Sequence, residues 1–134
     1  AAGVELPESL AKEVMATITL TAADFGKTIE SGTVFIDFWA TWCPPCRMFG
    51  PIFEAASDAH TDAVFAKVDT DAEGELAGAL EISSIPTLMA FRDGYLVFRQ
   101  AGALSKSSFE SVISQVKELD MEKLKADAAA AAAN

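Results

Sequence analysis

The sequence has only two cysteines, one histidine and one tyrosine among its 134 residues. Two cysteines cannot form the multi-bridge framework of a disulfide-rich scaffold. A single histidine, with no Ser motif of the G-x-S-x-G kind, leaves hydrolase chemistry without support. No G-x-G-x-x-G occurs, so the chain is not expected to bind a nicotinamide or flavin itself. No apolar run approaches the roughly 20 residues that cross a bilayer. Basic residues are scarce as well: 10 Lys and Arg stand against 20 Asp and Glu, a formal charge of −10. Nucleic acid and anionic membrane would repel such a chain and are not expected as partners. Residues 1–13 carry Glu5, Pro7, Glu8, Lys12 and Glu13, which does not read as a signal peptide. The chain does not begin with Met, so either an initiating Met preceded Ala1 or a signal was cleaved upstream.

The length predicts one domain, with enough chain to bury a core without staples. A hydrophobic content of 51% excludes a disordered chain, although 25 residues are Ala and seven of them lie in 126–134. Residues 14–20 read as a short strand. Thr21 then caps a helix, with Asp24 completing an acidic variant of the capping box; Phe25 and Ile29 share its apolar face and Ser31-Gly32 ends it. Residues 33–40 (TVFIDFWA) are apolar on both faces, as in a parallel strand covered on both sides. A helix opens near Cys43 with Pro44 and Pro45 in its first turn, where missing N–H groups cost little. Met48, Ile52 and Phe53 continue it, and Pro51 should kink it. Residues 63–68 form a buried strand and 72–81 a short helix with Leu76 and Leu80 on one side.

Residues 85–91 and 95–100 flank Arg92-Asp93-Gly94, a strong antiparallel hairpin signal. The last helix begins near Ser105 or Ser107, the latter boxing with Glu110, and carries Phe109, Val112, Ile113, Val116, Leu119 and Leu124 at helical intervals. The order βαβαβαββα predicts an α/β fold: a mixed five-stranded sheet, parallel first and antiparallel at one end, with helices on both faces. Residues 1–13 read as an N-terminal extension, 14–125 as the domain, and 126–134 as an Ala-rich tail that extends the last helix, frays and has no assigned function.

The two cysteines sit three apart, as Cys43-Pro44-Pro45-Cys46. At a helix start, free backbone N–H groups and the helix dipole favour a thiolate on the first cysteine. The thiolate is the reactive form. The second, nearly one turn further in, can attack a mixed disulfide made by the first. Cys43 is thus the candidate nucleophile and Cys46 the resolving thiol. Competing readings are half a zinc site with His60, and an inert structural disulfide. Asp37 stands out as an acid in a strand buried on both faces. Burial raises a carboxyl pKa, which suits a proton acceptor for Cys46. The competing reading is an acid at a strand edge in water.

The segment Asp37-Phe38-Trp39-Ala40-Thr41-Trp42-Cys43-Pro44-Pro45-Cys46-Arg47 resembles the active-site segment of the thioredoxin family, whose usual core is WCGPC. Pro51, Lys67, Ile85-Pro86-Thr87, Asp93-Gly94 and Gly102-Ala103-Leu104-Ser105-Lys106 match in order, over about residues 14–120. The resemblance implies the thioredoxin fold and reduction of protein disulfides, in the cytoplasm, by a monomer. It implies a cis bond at Ile85-Pro86, a charge-moderating role for Lys67 beside Asp37, and a docking surface of Trp42, Pro44, Pro45, Ile85, Pro86, Gly102 and Ala103. Core packing is the competing role for Ile85. No cofactor is bound by the chain; electrons would come from a flavin-containing, NADPH-dependent thioredoxin reductase. Pro44 departs from the usual Gly, and the dipeptide between the cysteines tunes their redox balance. Ser84 replaces a common Gly and Arg47 a common Lys.

Two alternatives keep this fold. One is an exported relative that oxidises, isomerises or reduces envelope proteins. The other is a binding module with incidental thiols. Asp69-Thr70-Asp71-Ala72-Glu73-Gly74 looks like the start of a calcium loop, but its twelfth position is Leu80, so acids at a helix N-terminus explain it better. His60 follows a helix and precedes Thr61-Asp62, so it reads as a solvated-loop or helix-end histidine.

Overall fold

The computed structural model describes residues 16–133. The extension at 1–13 and the first two residues of the expected strand at 14–20 lie outside them. The elements run β1 (Thr17–Thr19), α1 (Ala22–Ile29), β2 (Thr33–Trp39), α2 (Pro44–Ala59), β3 (Val64–Asp69), α3 (Gly74–Ala79), β4 (Thr87–Arg92), β5 (Tyr95–Ala101), α4 (Lys106–Lys117) and α5 (Met121–Ala133). The sheet order is β1-β3-β2-β4-β5. β1 and β2 pair with β3 in parallel; β4 pairs antiparallel with β2 and β5. The mixed five-stranded sheet agrees with the sequence pattern, with a further helix at the end.

Strand alternation divides the core into two layers. Phe35 and Phe65 face α2 and α4, where they join Phe49, Phe53, Leu88, Phe109, Ile113 and Val116. Val34, Ile36, Phe38, Ala66, Val68 and Met89 face the other way, against Phe25 and Ile29 of α1 and Leu76 and Leu80 beside α3. Five phenylalanines tie the first layer together: Phe53 stacks on Phe109 at 5.8 Å, Phe35 on Phe65 at 5.1 Å, and Phe49 meets Phe109 edge-on at 5.3 Å. The stripe of α2 in this layer is Phe49, Phe53 and Ala56, with Ile52 packed beside it, whereas Met48 is 70% exposed. Of the expected Met48, Ile52 and Phe53, the last two pack in this layer and Met48 does not; its neighbour Phe49 takes that place. Pro51 lies inside an α2 that runs on to Ala59.

Three helix ends differ from expectation. The Thr21 hydroxyl donates to the Asp24 carboxylate, and the free N–H of Ala22 is taken instead by Glu73 Oε1 at 2.8 Å. Of the two starts expected for α4, Ser105 is the cap, accepting from the Ser108 N–H at 3.1 Å; the expected Ser107–Glu110 box does not form, and Glu110 binds His60. The last apolar stripe is broken after Lys117. Arg92 Nη1 donates to the carbonyls of Val116 at 2.7 Å and Lys117 at 3.2 Å, satisfying α4's terminal acceptors. Leu119 falls between the helices, 36% exposed. Asp120 restarts the chain by accepting from the Lys123 N–H, and α5 carries the alanine run as helix to Ala133. A buried Met121 and an ion pair from Lys125 to Asp93 at 3.0 Å tie it to the domain.

The hairpin turn is as the Asp-Gly pair predicted. Asp93 (φ 51°) and Gly94 (φ 87°) both take the left-handed conformation of a two-residue type I′ turn. α3 closes with Glu81 left-handed (φ 56°) and the Ile82 N–H returning to Ala77 O. Arg99 of β5 donates to the carbonyls of Leu80 and Glu81, both at 2.6 Å, and so fastens the edge strand to this loop.

Candidate active site

The parallel strands β2 and β3 end at one edge of the sheet, where open α/β folds place their sites. β2 leads through Ala40-Thr41-Trp42 into α2. Cys43 is the N-cap of α2 in extended conformation, with Pro44 and Pro45 at the first two helical positions. Its sulfur accepts from the Cys46 N–H at 3.2 Å, so a backbone donor already points at the atom that would carry thiolate charge. Cys43 and Cys46 form a disulfide across a Cα–Cα distance of 5.2 Å. Both are buried with Ala40, against Trp39 and Ile85.

The loop before β4 comes up beside the pair. The Ile85–Pro86 bond is cis, and Ile85 O lies 3.6 Å from Cys43 Sγ. Gly102 holds this loop by donating its N–H to Pro86 O at 2.8 Å. Its φ of 100° is one that side chains with a Cβ rarely adopt. Ala103 follows it, exposed. Pro44 and Pro45 are exposed on the first turn of α2, and Trp42 is 64% exposed. Trp42 is nevertheless held, because its indole N–H donates to Asp71 Oδ2 at 2.9 Å. Asp71 is itself placed by a turn in which Asp69 Oδ1 accepts from the N–H groups of Asp71 and Ala72. The acidic run at 69–73 thus organises the site's rim through Asp71 and the start of α1 through Glu73. Its spacing alone did not reveal either partner.

Asp37, two residues before Trp39 on β2, is completely buried; neither carboxylate oxygen has a hydrogen-bond partner. Burial pushes its pKa up to about 7. Lys67 opposes this and Glu54 adds to it. The expected alternative, an acid in water at a strand edge, is therefore not what the fold builds. Lys67 is in register with Asp37 on the adjacent strand. Its ammonium sits 3.7 Å from Glu54 Oε1 and 5.0 Å from the centre of the Trp39 ring. A cavity of about 210 Å³ opens here, lined by Trp39, Cys46, Gly50, Glu54 and Lys67 among others. Glu54 was not legible as a site residue, although it falls eight residues after Cys46 on the same helix face.

The structure therefore brings Cys43, Cys46, Ile85, Pro86 and Gly102 together, with Trp42 on the rim; Lys67 lines a cavity with Cys46 and stands in register with Asp37. His60 is not among them. It ends α2 at the far pole, only partly exposed, with Nε2 at 2.7 Å from Glu110 and Nδ1 at 2.7 Å from Lys117 Nζ. An ammonium only donates, so Nδ1 accepts and Nε2–H donates. Lys117 also pairs with Asp62 at 2.8 Å, which holds that carboxyl below its usual range. Of the expected readings, a solvated loop or a helix end, the helix end is the one built, and there His60 is a fixed link between α2 and α4. Among the described residues, no three of His, Cys, Asp or Glu are grouped as a metal site would need, and no helix is long and apolar enough to cross a membrane.

A family model described as Thioredoxin matches residues 16–115. The protein named thioredoxin 2 in Streptomyces coelicolor is 49% identical over 110 residues, covering 81% of this chain and 82% of that one. The thioredoxin of Staphylococcus aureus is 40% identical over 102 residues, covering 75% of this chain and 98% of its own. Among solved structures, Malassezia sympodialis thioredoxin superposes with a TM-score of 0.69 at 35% identity, over 75% of this chain and 90% of that one.

Proposed function

The chain belongs to the thioredoxin family and is a dithiol–disulfide oxidoreductase, and we propose that it works with Cys43 as nucleophile and Cys46 as resolving thiol. The observation that carries this assignment is the place of Cys43 at the α2 N-cap, its sulfur already accepting from a backbone N–H. Such a position favours the thiolate over the thiol. The Cys43 thiolate attacks one sulfur of a substrate disulfide. That bond breaks, one substrate sulfur leaves as a thiolate, and the other stays bonded to Cys43. Asp37 takes the Cys46 thiol proton. The Cys46 thiolate then attacks Cys43 Sγ and expels the second substrate sulfur. Two electrons have passed to the substrate, and the chain is left with its Cys43–Cys46 disulfide.

Asp37 suits this step because its raised pKa lies near neutrality, where a carboxylate can both accept and return a proton. Lys67 tempers that affinity. Substrate docks on Trp42, Pro44, Pro45, Ile85, Pro86, Gly102 and Ala103, with the Ile85 carbonyl beside the reacting sulfur. Disulfide-bonded proteins are the substrates, and a flavin-containing, NADPH-dependent thioredoxin reductase returns the electrons. We place this monomeric carrier in cytoplasmic redox homeostasis and electron transport. Its domain is residues 14–125 and the Ala-rich tail 126–134. The test is Cys46→Ser, which removes the resolving thiol. Mixed disulfides through Cys43 should accumulate on reaction with an oxidised protein substrate. Their absence, with Cys43 shown to be reduced, would reject the assignment.

A further inference from the structure

Beneath the cysteines, α2 presents Cys46, Gly50 and Glu54 at intervals of four, which puts them on one face. Below them, the parallel pairing of β2 with β3 sets Asp37 beside Lys67. A lysine in register with a fully buried carboxylate would ordinarily close an ion pair with it. Here it does not. Both Asp37 oxygens are without a hydrogen-bond partner, while the Lys67 ammonium is drawn to Glu54 at 3.7 Å and stands over the Trp39 ring. Gly50 leaves the ammonium its space: a Cβ there would lie 3.8 Å from Lys67 Nζ. Cys46, Gly50, Lys67 and a half-exposed Glu54 line one cavity here.

This arrangement has a chemical consequence. An ammonium closed onto Asp37 would hold the carboxylate ionised and weaken it as a proton acceptor. An ammonium paired with Glu54 instead leaves the Asp37 carboxylate free to act as a proton acceptor. Resting on the reading that Asp37 takes the Cys46 proton, we propose that Glu54 is a positioning residue for that transfer. It draws Lys67 away from Asp37 and thereby sets the pH at which Asp37 accepts a proton. The groups involved are Lys67 from β3 and Glu54 and Cys46 from α2; the β4 residue in register with Asp37 is the apolar Leu88. The carboxylate of Glu54 acts in the same direction through space, since its negative charge also favours a protonated Asp37.

The test follows the protonation of Asp37 by carboxyl NMR, and the pH profile of protein-disulfide reduction, in the parent, Glu54→Gln, Lys67→Met, the double variant and Asp37→Asn. Exposed ion pairs contribute little to stability, so E54Q should remain folded. E54Q should move the Asp37 midpoint to lower pH by roughly half a unit, the scale of one partly screened charge. K67M should move it to higher pH. In the K67M background the effect of E54Q should shrink, because the ammonium it controls is gone. A midpoint unmoved by E54Q, or moved equally with and without Lys67, overturns the role of Glu54 while leaving that of Asp37 intact. A pH profile unchanged by Asp37→Asn overturns both.

Discussion

Replacing Asp37 with Asn should stabilise the protein, and only above a definable pH. The side chain is fully buried and both its oxygens lack partners. Folding raises its pKa from 3.8 to about 7, chiefly through burial. Between those values the native state holds a proton that the unfolded chain releases. The contribution of this carboxyl to stability is therefore full below pH 3.8 and is lost as pH rises through 7. A shift of about three units at 1.36 kcal/mol each amounts to about 4 kcal/mol. Asn is close in shape to the protonated carboxyl and never ionises, so below pH 4 the substitution is nearly neutral. By pH 8 the variant should be more stable by up to about 4 kcal/mol. With a urea dependence of roughly 1–3 kcal/mol per molar, its unfolding midpoint rises by more than about 1 M. Urea unfolding of the oxidised forms, followed by circular dichroism from pH 4 to 9, measures this directly. A difference that does not change with pH, or a variant less stable at pH 8, would refute the placement of an uncompensated carboxyl in this core.

Other substitutions probe the supports of the site and of the fold. Asp71→Ala removes the acceptor of the Trp42 indole N–H. Because the bond is exposed it should cost less than about 1 kcal/mol of stability, yet raise KM for a protein disulfide and change Trp42 fluorescence polarisation. Arg92→Ala strips the carbonyls of Val116 and Lys117 of their donor. It should destabilise by about 1.5–3 kcal/mol in urea unfolding, with kcat for disulfide reduction unchanged because Arg92 lies at the pole opposite the cysteines.

The parts of this protein legible in its sequence are those set by neighbours along the chain. The apolar runs at 33–40 and 63–68 marked strands covered on both faces. Asp93-Gly94 marked a turn, and Cys43-Pro44-Pro45-Cys46 marked the start of a helix. The thioredoxin resemblance added the cis bond at Ile85-Pro86, which spacing could not supply. What escaped the sequence depends on partners brought close by folding. The α1 N-terminus is satisfied by Glu73, 51 residues beyond Ala22. The end of α4 is set by Arg92, 24 residues before Val116. Helix periodicity alone continued the apolar stripe to Leu119 and Leu124, since nothing local announces that a distant guanidinium takes the last carbonyls. Met48 and Phe49 offered two frames for one helix, and only the phenylalanine layer selects between them. The oddity of Asp37 in an apolar strand was visible at once. The ion pair that keeps Lys67 from it was not, because Glu54 lies on another element and reads as an ordinary charge on the surface of a helix.

The Cys43–Cys46 pair is expected to be a reductant despite proline in place of the usual glycine between them. Equilibrating the purified protein with dithiol redox buffers, and quantifying the free thiols, gives the reduction potential of the pair. A value near the roughly −270 mV typical of thioredoxins is the predicted result; one near roughly −120 to −180 mV, in the range of dedicated oxidants and isomerases, would contradict it.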